Sequence, residues 1–177
     1  MTSRWRDAGV GLGVLVGLGA LVAVPAVVSA ALPSQGPPVT RPVDVGYGVR
    51  VDPPPGARLD VAESRPGTGE VVLRTGEGLR IRLSAVAYQG DPAPFTAHAR
   101  HRLARDELLR PAGRPEPLRA SGLRGEWGPL TGEQPACYAV LTGPEVAVTA
   151  LVTPVPDCAA LPAPVRAALT GLRLDPS

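Results

Sequence analysis

Two histidines and two arginines lie close together in a stretch of sequence without glycine or proline. His98 and His101 are three residues apart, and Arg102 and Arg105 follow at a helical spacing. At about 100° per residue, a helix would place all four side chains in one sector about 100° wide. Because guanidinium groups bind carboxylates and phosphates well, the four residues are a candidate surface for an anion or an acidic partner.

Two other interpretations of these residues stay open. A helix face of this composition is commonly just solvated, and it then binds nothing. A metal site is disfavoured, because two histidines at this spacing need a third ligand and because Arg102 and Arg105 would repel a cation. We therefore expect no metal ion, and we keep His98, His101, Arg102 and Arg105 as a candidate patch for an anion or a protein partner.

Cys137 and Cys158 are the only two cysteines of the chain. Two cysteines in an exported domain indicate one disulfide, which at this loop length would stabilise the fold by about 3 kcal/mol. Two free buried thiols are the alternative. A redox-active pair is disfavoured, because the spacing is not C-x-x-C. We expect a structural disulfide between Cys137 and Cys158.

The short motifs of common enzyme classes do not occur in this sequence. It has no G-x-S-x-G, no H-E-x-x-H and no phosphate-binding loop. The Gly-Thr-Gly at 67–69 and the Gly-Glu-Gly at 76–78 lack the lysine or the helix that phosphate binding needs. We expect the rings of Trp127 and Tyr138 to pack in the core rather than to form a platform on which a ligand stacks. We therefore expect no catalytic residue, no cofactor and a non-enzymatic role.

An uncharged apolar segment precedes all of these residues. Residues 8–32 consist almost entirely of glycine, alanine, valine and leucine, and about 20 such residues in a helix cross a hydrocarbon core of roughly 30 Å. Arg4 and Arg6 stand before the segment, and no basic residue follows until Arg41. The positive-inside rule then predicts a transmembrane helix at 8–32, with residues 1–7 in the cytoplasm and the rest of the chain outside.

The alternative for this segment is a cleaved secretory signal. Val28 and Ala30 are small residues at the spacing that a signal peptidase reads, which would place cleavage before Ala31. We therefore predict a single-pass protein of the cytoplasmic membrane with its C-terminal domain outside, or a secreted domain if the segment is removed. The membrane itself is a predicted partner through the N-terminal helix.

The remaining sequence divides into a spacer and one domain of ordinary size. Residues 33–44 are rich in proline and predict a partly extended, extracytoplasmic linker. Residues 45–175 are long enough to bury a core of their own. The net charge of the chain is +2, which argues against nucleic acid as a partner.

The elements that must position the candidate residues follow from the hydrophobic pattern of this domain. Hairpins are predicted at residues 71–88 and 137–153, because strand-like runs flank short glycine-containing turns. Helices are predicted over 95–110, where apolar residues recur every four positions, and over 161–172. The expected fold class is α+β: an antiparallel sheet of about six to seven strands covered by two helices, preceded by one N-terminal transmembrane helix.

The order of these elements carries a family resemblance over residues 47–174. The domain opens with YGVRVDPPPG, an aspartate-proline pair precedes the long helix, a strand at 122–125 leads to the second hairpin, and the closing helix ends in GLRL. This layout resembles the PsbP-like fold, known from an oxygen-evolving-complex protein and a Ran-binding import factor. It is also similar to small actinobacterial envelope lipoproteins and membrane-anchored proteins with that fold.

The resemblance implies a role rather than a chemistry. PsbP-like proteins share no common catalytic residues and act mostly as accessory or binding proteins, and some related anchored domains look like associates of type VII secretion systems. We therefore expect a cell-envelope accessory or binding protein with a protein partner, for example one that assists a secretion or envelope complex. The alternative is a small envelope hydrolase with an unrecognised active site. The oligomeric state is not predicted.

Overall fold

The computed structural model describes residues 35–175 of the chain. The strands of this range are β1 (Gln35–Pro38), β2 (Val43–Gly46), β3 (Val49–Val51), β4 (Arg58–Asp60), β5 (Glu70–Arg74), β6 (Arg80–Ala87), β7 (Arg110–Pro111), β8 (Glu116–Ala120), β9 (Leu123–Thr131), β10 (Ala136–Thr142), β11 (Val146–Thr153) and β12 (Arg173–Leu174). Its helices are α1 (Pro92–Asp106), α2 (Ala163–Thr170) and the short 3₁₀ turn η1 (Cys158–Ala160).

Within this range the strands form two antiparallel sheets. The larger sheet has nine strands in the order β1-β4-β5-β6-β11-β10-β9-β7, and β8 pairs with β9 as well. The smaller sheet has three strands in the order β12-β3-β2. The predicted α+β class and antiparallel sheet are confirmed, but the prediction of six to seven strands is too low. Several of the additional strands have only two to four residues, which is too short to show an alternating pattern.

Apolar side chains on both faces of the large sheet form the core. On one face, residues of β5, β6, β10 and β11 pack against the small sheet and against α2. On the other face, α1 packs on β9, β10 and β11 through Ala99, Ala104 and the half-buried Leu103. Every residue of β10 and β11 is buried as a result, because these two central strands are covered on both faces.

The helix α1 begins and ends earlier than its sequence pattern predicts. The Asp91 carboxylate accepts a hydrogen bond from the backbone N–H of Ala93 (3.1 Å), and a proline at the first helical position costs nothing because its N–H would lack an intrahelical partner. The helix ends at Asp106 rather than at residue 110, since Leu108 has a positive φ of 54° and Leu109 turns back into the core. The closing helix α2 is likewise shorter than predicted, and Leu161 and Leu172 flank it as buried residues.

Both predicted hairpins are present. β5 pairs with β6 from Glu70 opposite Ser84 to Arg74 opposite Arg80, and β10 pairs with β11 from Cys137 opposite Val152 to Thr142 opposite Ala147. β6 and β11 then pair with each other, so the two hairpins form the centre of the large sheet. The glycine-containing turns and the alternating apolar residues specify these pairings locally.

The segment predicted as a linker, residues 33–44, contributes strands to the folded unit from Gln35 onward. Gln35–Pro38 forms β1 and pairs with β4, and β2 begins at Val43. Prolines are compatible with this position because β1 is an edge strand, where one side of the backbone needs no partner. The sequence prediction of an extended spacer therefore needs correcting for this part of the chain.

The predicted transmembrane helix at 8–32, the cytoplasmic segment 1–7 and the cleavage position before Ala31 lie outside the described residues. Over residues 35–175, no helix combines the length and the apolar character needed to cross a membrane.

Candidate binding surface

The candidate patch lies on the outer face of α1. His98, His101, Arg102 and Arg105 are all exposed there, while Ala99 lies buried on the opposite side of the helix. The helical spacing therefore brings the four side chains to one surface, as the periodicity predicts.

The basic residues of the patch are weakly paired. The Nε of Arg105 lies 3.4 Å from the Oδ1 of Asp106, and both side chains are largely exposed, at 79% and 51%. Arg102 and the two histidines form no ion pair with any residue in the range 35–175. Solvent-exposed ion pairs contribute only about 0–1 kcal/mol, so the positive charge of this face remains accessible to an external anion.

A shallow cleft of about 240 Å³ runs along one side of α1. Arg102 and Asp106 form its helix wall, and Ser84 and Thr149 lie opposite each other on its floor in β6 and β11. Glu70 also lines the cleft. The cleft thus offers hydroxyl groups and both signs of charge, and Arg102 belongs both to the cleft and to the patch.

Two polar contacts attach α1 to the sheet at its edges. On the side of the cleft, Arg82 Nη1 in β6 donates to Glu107 Oε1 at 2.8 Å. On the other side, Glu126 Oε1 accepts hydrogen bonds from Arg100 Nη1 (3.1 Å) and from the Tyr138 hydroxyl (2.8 Å). These contacts fix the orientation of α1, and with it the direction in which the candidate patch faces.

The environment of Tyr138 makes its hydroxyl a poor acid. Burial of the ring and the hydrogen bond that the hydroxyl donates to Glu126 raise the pKa of Tyr138 from 10.0 to about 12. Contacts with Tyr138 and Glu126 likewise raise the pKa of Arg100, although its burial acts in the opposite direction. The group is therefore a neutral phenol held by a charged pair, which suits a structural contact. In sequence, Glu126 lies 12 residues from Tyr138 and 26 residues from Arg100, and no sequence pattern links these three residues.

The predicted disulfide is present. Cys137 in β10 and Cys158 in η1 are bonded, with their Cα atoms 5.4 Å apart. The sequence predicts core packing for both Trp127 and Tyr138. Tyr138 is buried in the core and only 2% exposed, while Trp127 is half-buried and packs against the edge of the core. Among the described residues, no group of three or more His, Cys, Asp or Glu side chains is arranged to hold a metal ion.

No protein-family model and no curated protein matches this chain. A crystal structure of a protein from Bacteroides thetaiotaomicron VPI-5482 is similar to it, with a TM-score of 0.46 and 12% sequence identity. The match covers 81% of this chain and 50% of that protein, so this chain spans about half of its length. A similarity of this strength carries no inference about fold, function or partners.

Proposed function

We propose that this chain is a non-enzymatic binding protein of the cell envelope, anchored at the outer face of the cytoplasmic membrane, and that the outer face of α1 binds an acidic segment of a protein partner. The observation that carries the proposal is the unpaired, exposed positive charge of Arg102 beside Arg105 on one helix face. An acidic segment supplies carboxylates, and a guanidinium group can bind a carboxylate through two parallel hydrogen bonds.

The rigid attachment of α1 supports this function. The contacts of Arg82 with Glu107 and of Arg100 with Glu126 hold both edges of the helix, and Phe95 packs against Tyr88 with ring centroids 4.5 Å apart. A surface that is already ordered loses little conformational entropy when a partner binds. The helix backbone that carries the patch is therefore already ordered before a partner binds.

The shape of the surface also supports binding over hydrolysis. Four clefts in the described part of the chain measure about 240 to 310 Å³ each, which is near the lower end of about 300–1,000 Å³ for small-molecule sites. A hydrolase of the envelope, the alternative function, would instead gather its polar groups in one deep pocket.

The disulfide indicates an oxidising, extracytoplasmic environment for the domain. Anchoring at the membrane is part of the proposal and is supported by the apolar sequence of residues 8–32. Intact mass and membrane fractionation of the natively expressed chain test it. We expect the full-length mass in the membrane fraction. A mass that begins at Ala31 in the soluble exported fraction would contradict anchoring and leave the binding proposal standing.

Charge reversal on α1 tests the binding proposal directly. The double variant Arg102→Glu, Arg105→Glu should bind a fluorescent oligoglutamate peptide at least about tenfold more weakly than the wild type, with an unchanged melting temperature, because both side chains are exposed. Wild-type binding should also weaken as salt is added, since exposed charges are screened. Partner proteins that crosslink to the wild-type chain in intact cells should no longer crosslink to this variant.

A matched control keeps the test specific. Arg119 and Arg124 are exposed and face each other across β8 and β9, and neither forms an ion pair within the described range. The variant Arg119→Glu, Arg124→Glu changes the net charge equally and should retain binding. If both double variants weaken binding of the peptide equally, or if neither weakens it, the α1 face is a solvated surface and the proposal is wrong.

A further inference from the structure

A second cleft, of about 280 Å³, opens between β9 and the segment that joins β11 to α2. It is separate from the α1 face and uses none of the residues of the candidate patch. Its lining combines a half-buried aromatic ring with charged side chains of both signs: Arg114, Glu116, Trp127, Pro129, Asp157 and Arg166.

The Trp127 ring and the Arg166 guanidinium form the preorganised part of this cleft. The Cζ atom of Arg166 lies 5.6 Å from the centroid of the ring, and Arg166 Nη2 donates a hydrogen bond to the carbonyl oxygen of Ala159 at 2.8 Å. Stacking and this hydrogen bond hold the guanidinium in place. Its remaining N–H groups have no partner among the described residues, so they are available to an oxyanion.

The other charged groups also keep unused hydrogen-bonding atoms. Glu116 Oε2 accepts from the indole N–H of Trp127 at 3.3 Å, and Asp157 Oδ1 accepts from the backbone N–H of Ala159 at 2.9 Å. The second oxygen of each carboxylate has no donor within residues 35–175, and Arg114 has no ion-pair partner there. The cleft therefore presents two guanidinium groups and two carboxylates to one small volume.

We propose that this cleft binds a small zwitterion of the amino-acid type with an apolar side chain. Arg114 and Arg166 bind its carboxylate, Glu116 and Asp157 bind its ammonium group, and Trp127 and Pro129 contact its apolar part. The formal charges of the four side chains cancel, which favours a ligand without net charge over an anion or a cation. The size of the cleft restricts the ligand to about one amino acid.

The disulfide is a structural requirement of this site. Cys158 lines the cleft, and its bond to Cys137 attaches η1, and with it Asp157 and Ala159, to the central strand β10. We expect reduction to loosen η1 from β10, and with it the carboxylate of Asp157 and the carbonyl that holds Arg166. Binding should therefore require the oxidised protein.

Fluorescence of Trp127 gives a direct test in the full-length protein. The chain has two tryptophans, and a Trp5→Phe background leaves Trp127 as the only tryptophan, which is excited selectively at a wavelength that the tyrosines do not absorb. L-Leucine should change the emission saturably at concentrations below about 10 mM. L-Leucinamide, which lacks the carboxylate, and N-acetyl-L-leucine, which lacks the ammonium group, should each bind at least about tenfold more weakly.

Variants identify the groups responsible. Arg114→Gln removes a side chain without a partner in the described part of the fold, so it should weaken L-leucine binding at least about fivefold without unfolding the protein. Arg119→Gln, an exposed arginine outside the cleft, should bind like the wild type. The absence of a saturable change with L-leucine, or equal binding of all three compounds, would overturn the proposal. So would wild-type affinity in Arg114→Gln.

Discussion

Asp60 is a charged side chain in the interior, with 1% of its surface exposed. Burial by itself would raise the pKa of this carboxyl, but the hydrogen bond from Arg74 and those from the backbone N–H groups of Glu63 and Ala62 outweigh it. The Arg74 Nε lies 2.7 Å from Oδ2. The pKa of Asp60 therefore lies below its ordinary value of 3.8, and the charged form stabilises the loop between β4 and β5.

Replacing Asp60 by asparagine should lower the free energy of unfolding by about 1–3 kcal/mol at neutral pH, because the variant keeps the shape but loses the charge. Since the folded-state pKa is depressed, the contribution is complete above pH 3.8 and is lost as the pH falls below it. Urea denaturation at neutral and acidic pH measures both effects. A deficit that stays constant with pH would contradict the explanation.

The exposed pair of Arg173 and Asp52 supplies the control for this substitution. Their side chains are 43% and 53% exposed, and such pairs contribute only about 0–1 kcal/mol. Asp52→Asn should therefore leave stability nearly unchanged at every pH. An Asp52→Asn deficit as large as that of Asp60→Asn would show that charge alone, without burial, produces the effect.

The raised pKa of Tyr138 predicts a separate, late step in the titration of the tyrosines. The chain has three tyrosines, and Tyr138, with its pKa raised from 10.0 to about 12, should ionise later than an unperturbed tyrosine. The folded state holds this proton more tightly, so stability should fall as the pH rises from 10.0 towards about 12. Ultraviolet titration of the wild type and of Tyr138→Phe checks this: the late step should vanish in the variant, and its persistence would contradict the assignment.

At the scale of the elements, one glycine joins the two sheets. The backbone N–H of Gly69 donates to Val45 of β2, and its carbonyl oxygen accepts from the N–H of Ala85 in β6, both at 2.8 Å. Its φ is +108°, and a Cβ atom there would lie 2.5 Å from the carbonyl oxygen of Ala85. Only glycine fits this close approach of three backbone segments.

Gly69→Ala should destabilise the fold by more than about 2 kcal/mol, because the added methyl group clashes with backbone and the φ value is unfavourable. Gly76, in the turn between β5 and β6, has no atom within 4 Å of a Cβ position. Gly76→Ala is therefore the control and should change stability by less than about 0.5 kcal/mol. Thermal unfolding of both variants compares them directly, and similar melting temperatures would contradict this role for Gly69.

The accuracy of the element predictions depended on how local the signal is. The hairpins β5–β6 and β10–β11 and the helix α1 follow from turn residues and from apolar periodicity within about twenty neighbouring residues. β1, β7 and β12 have two to four residues each, and their pairing partners lie elsewhere in the chain, so no local pattern predicts them. The resemblance to the PsbP-like fold also rests on element order alone and stays a prediction.

At the scale of the whole molecule, the disulfide joins segments 21 residues apart and connects the centre of the large sheet to η1. The double variant Cys137→Ala, Cys158→Ala should lose about 2–4 kcal/mol of stability, since the unfolded chain is no longer constrained. The native protein should take up no thiol label until a reductant is added. Labelling of both cysteines in the unreduced exported protein would show that the bond does not form.

By itself, the sequence determined the α+β class, the two central hairpins and the helical stripe of His98, His101, Arg102 and Arg105, and it predicted a disulfide between the only two cysteines. Backbone propensity and side-chain periodicity act within short stretches of the chain, and two cysteines allow only one intramolecular disulfide. A single sequence is therefore enough for these predictions.

Only the tertiary structure decided which charges are free and which are paired. Arg100 pairs with Glu126, while Arg102, two residues further along on the outer face of the same helix, has no ion-pair partner in the described range. Arg114, Trp127 and Arg166 come from three separate segments and meet in one cleft. Such contacts between distant segments depend on strand order and long-range packing, and the same local sequence is compatible with many such arrangements. Their chemistry is therefore visible only once the chain has folded.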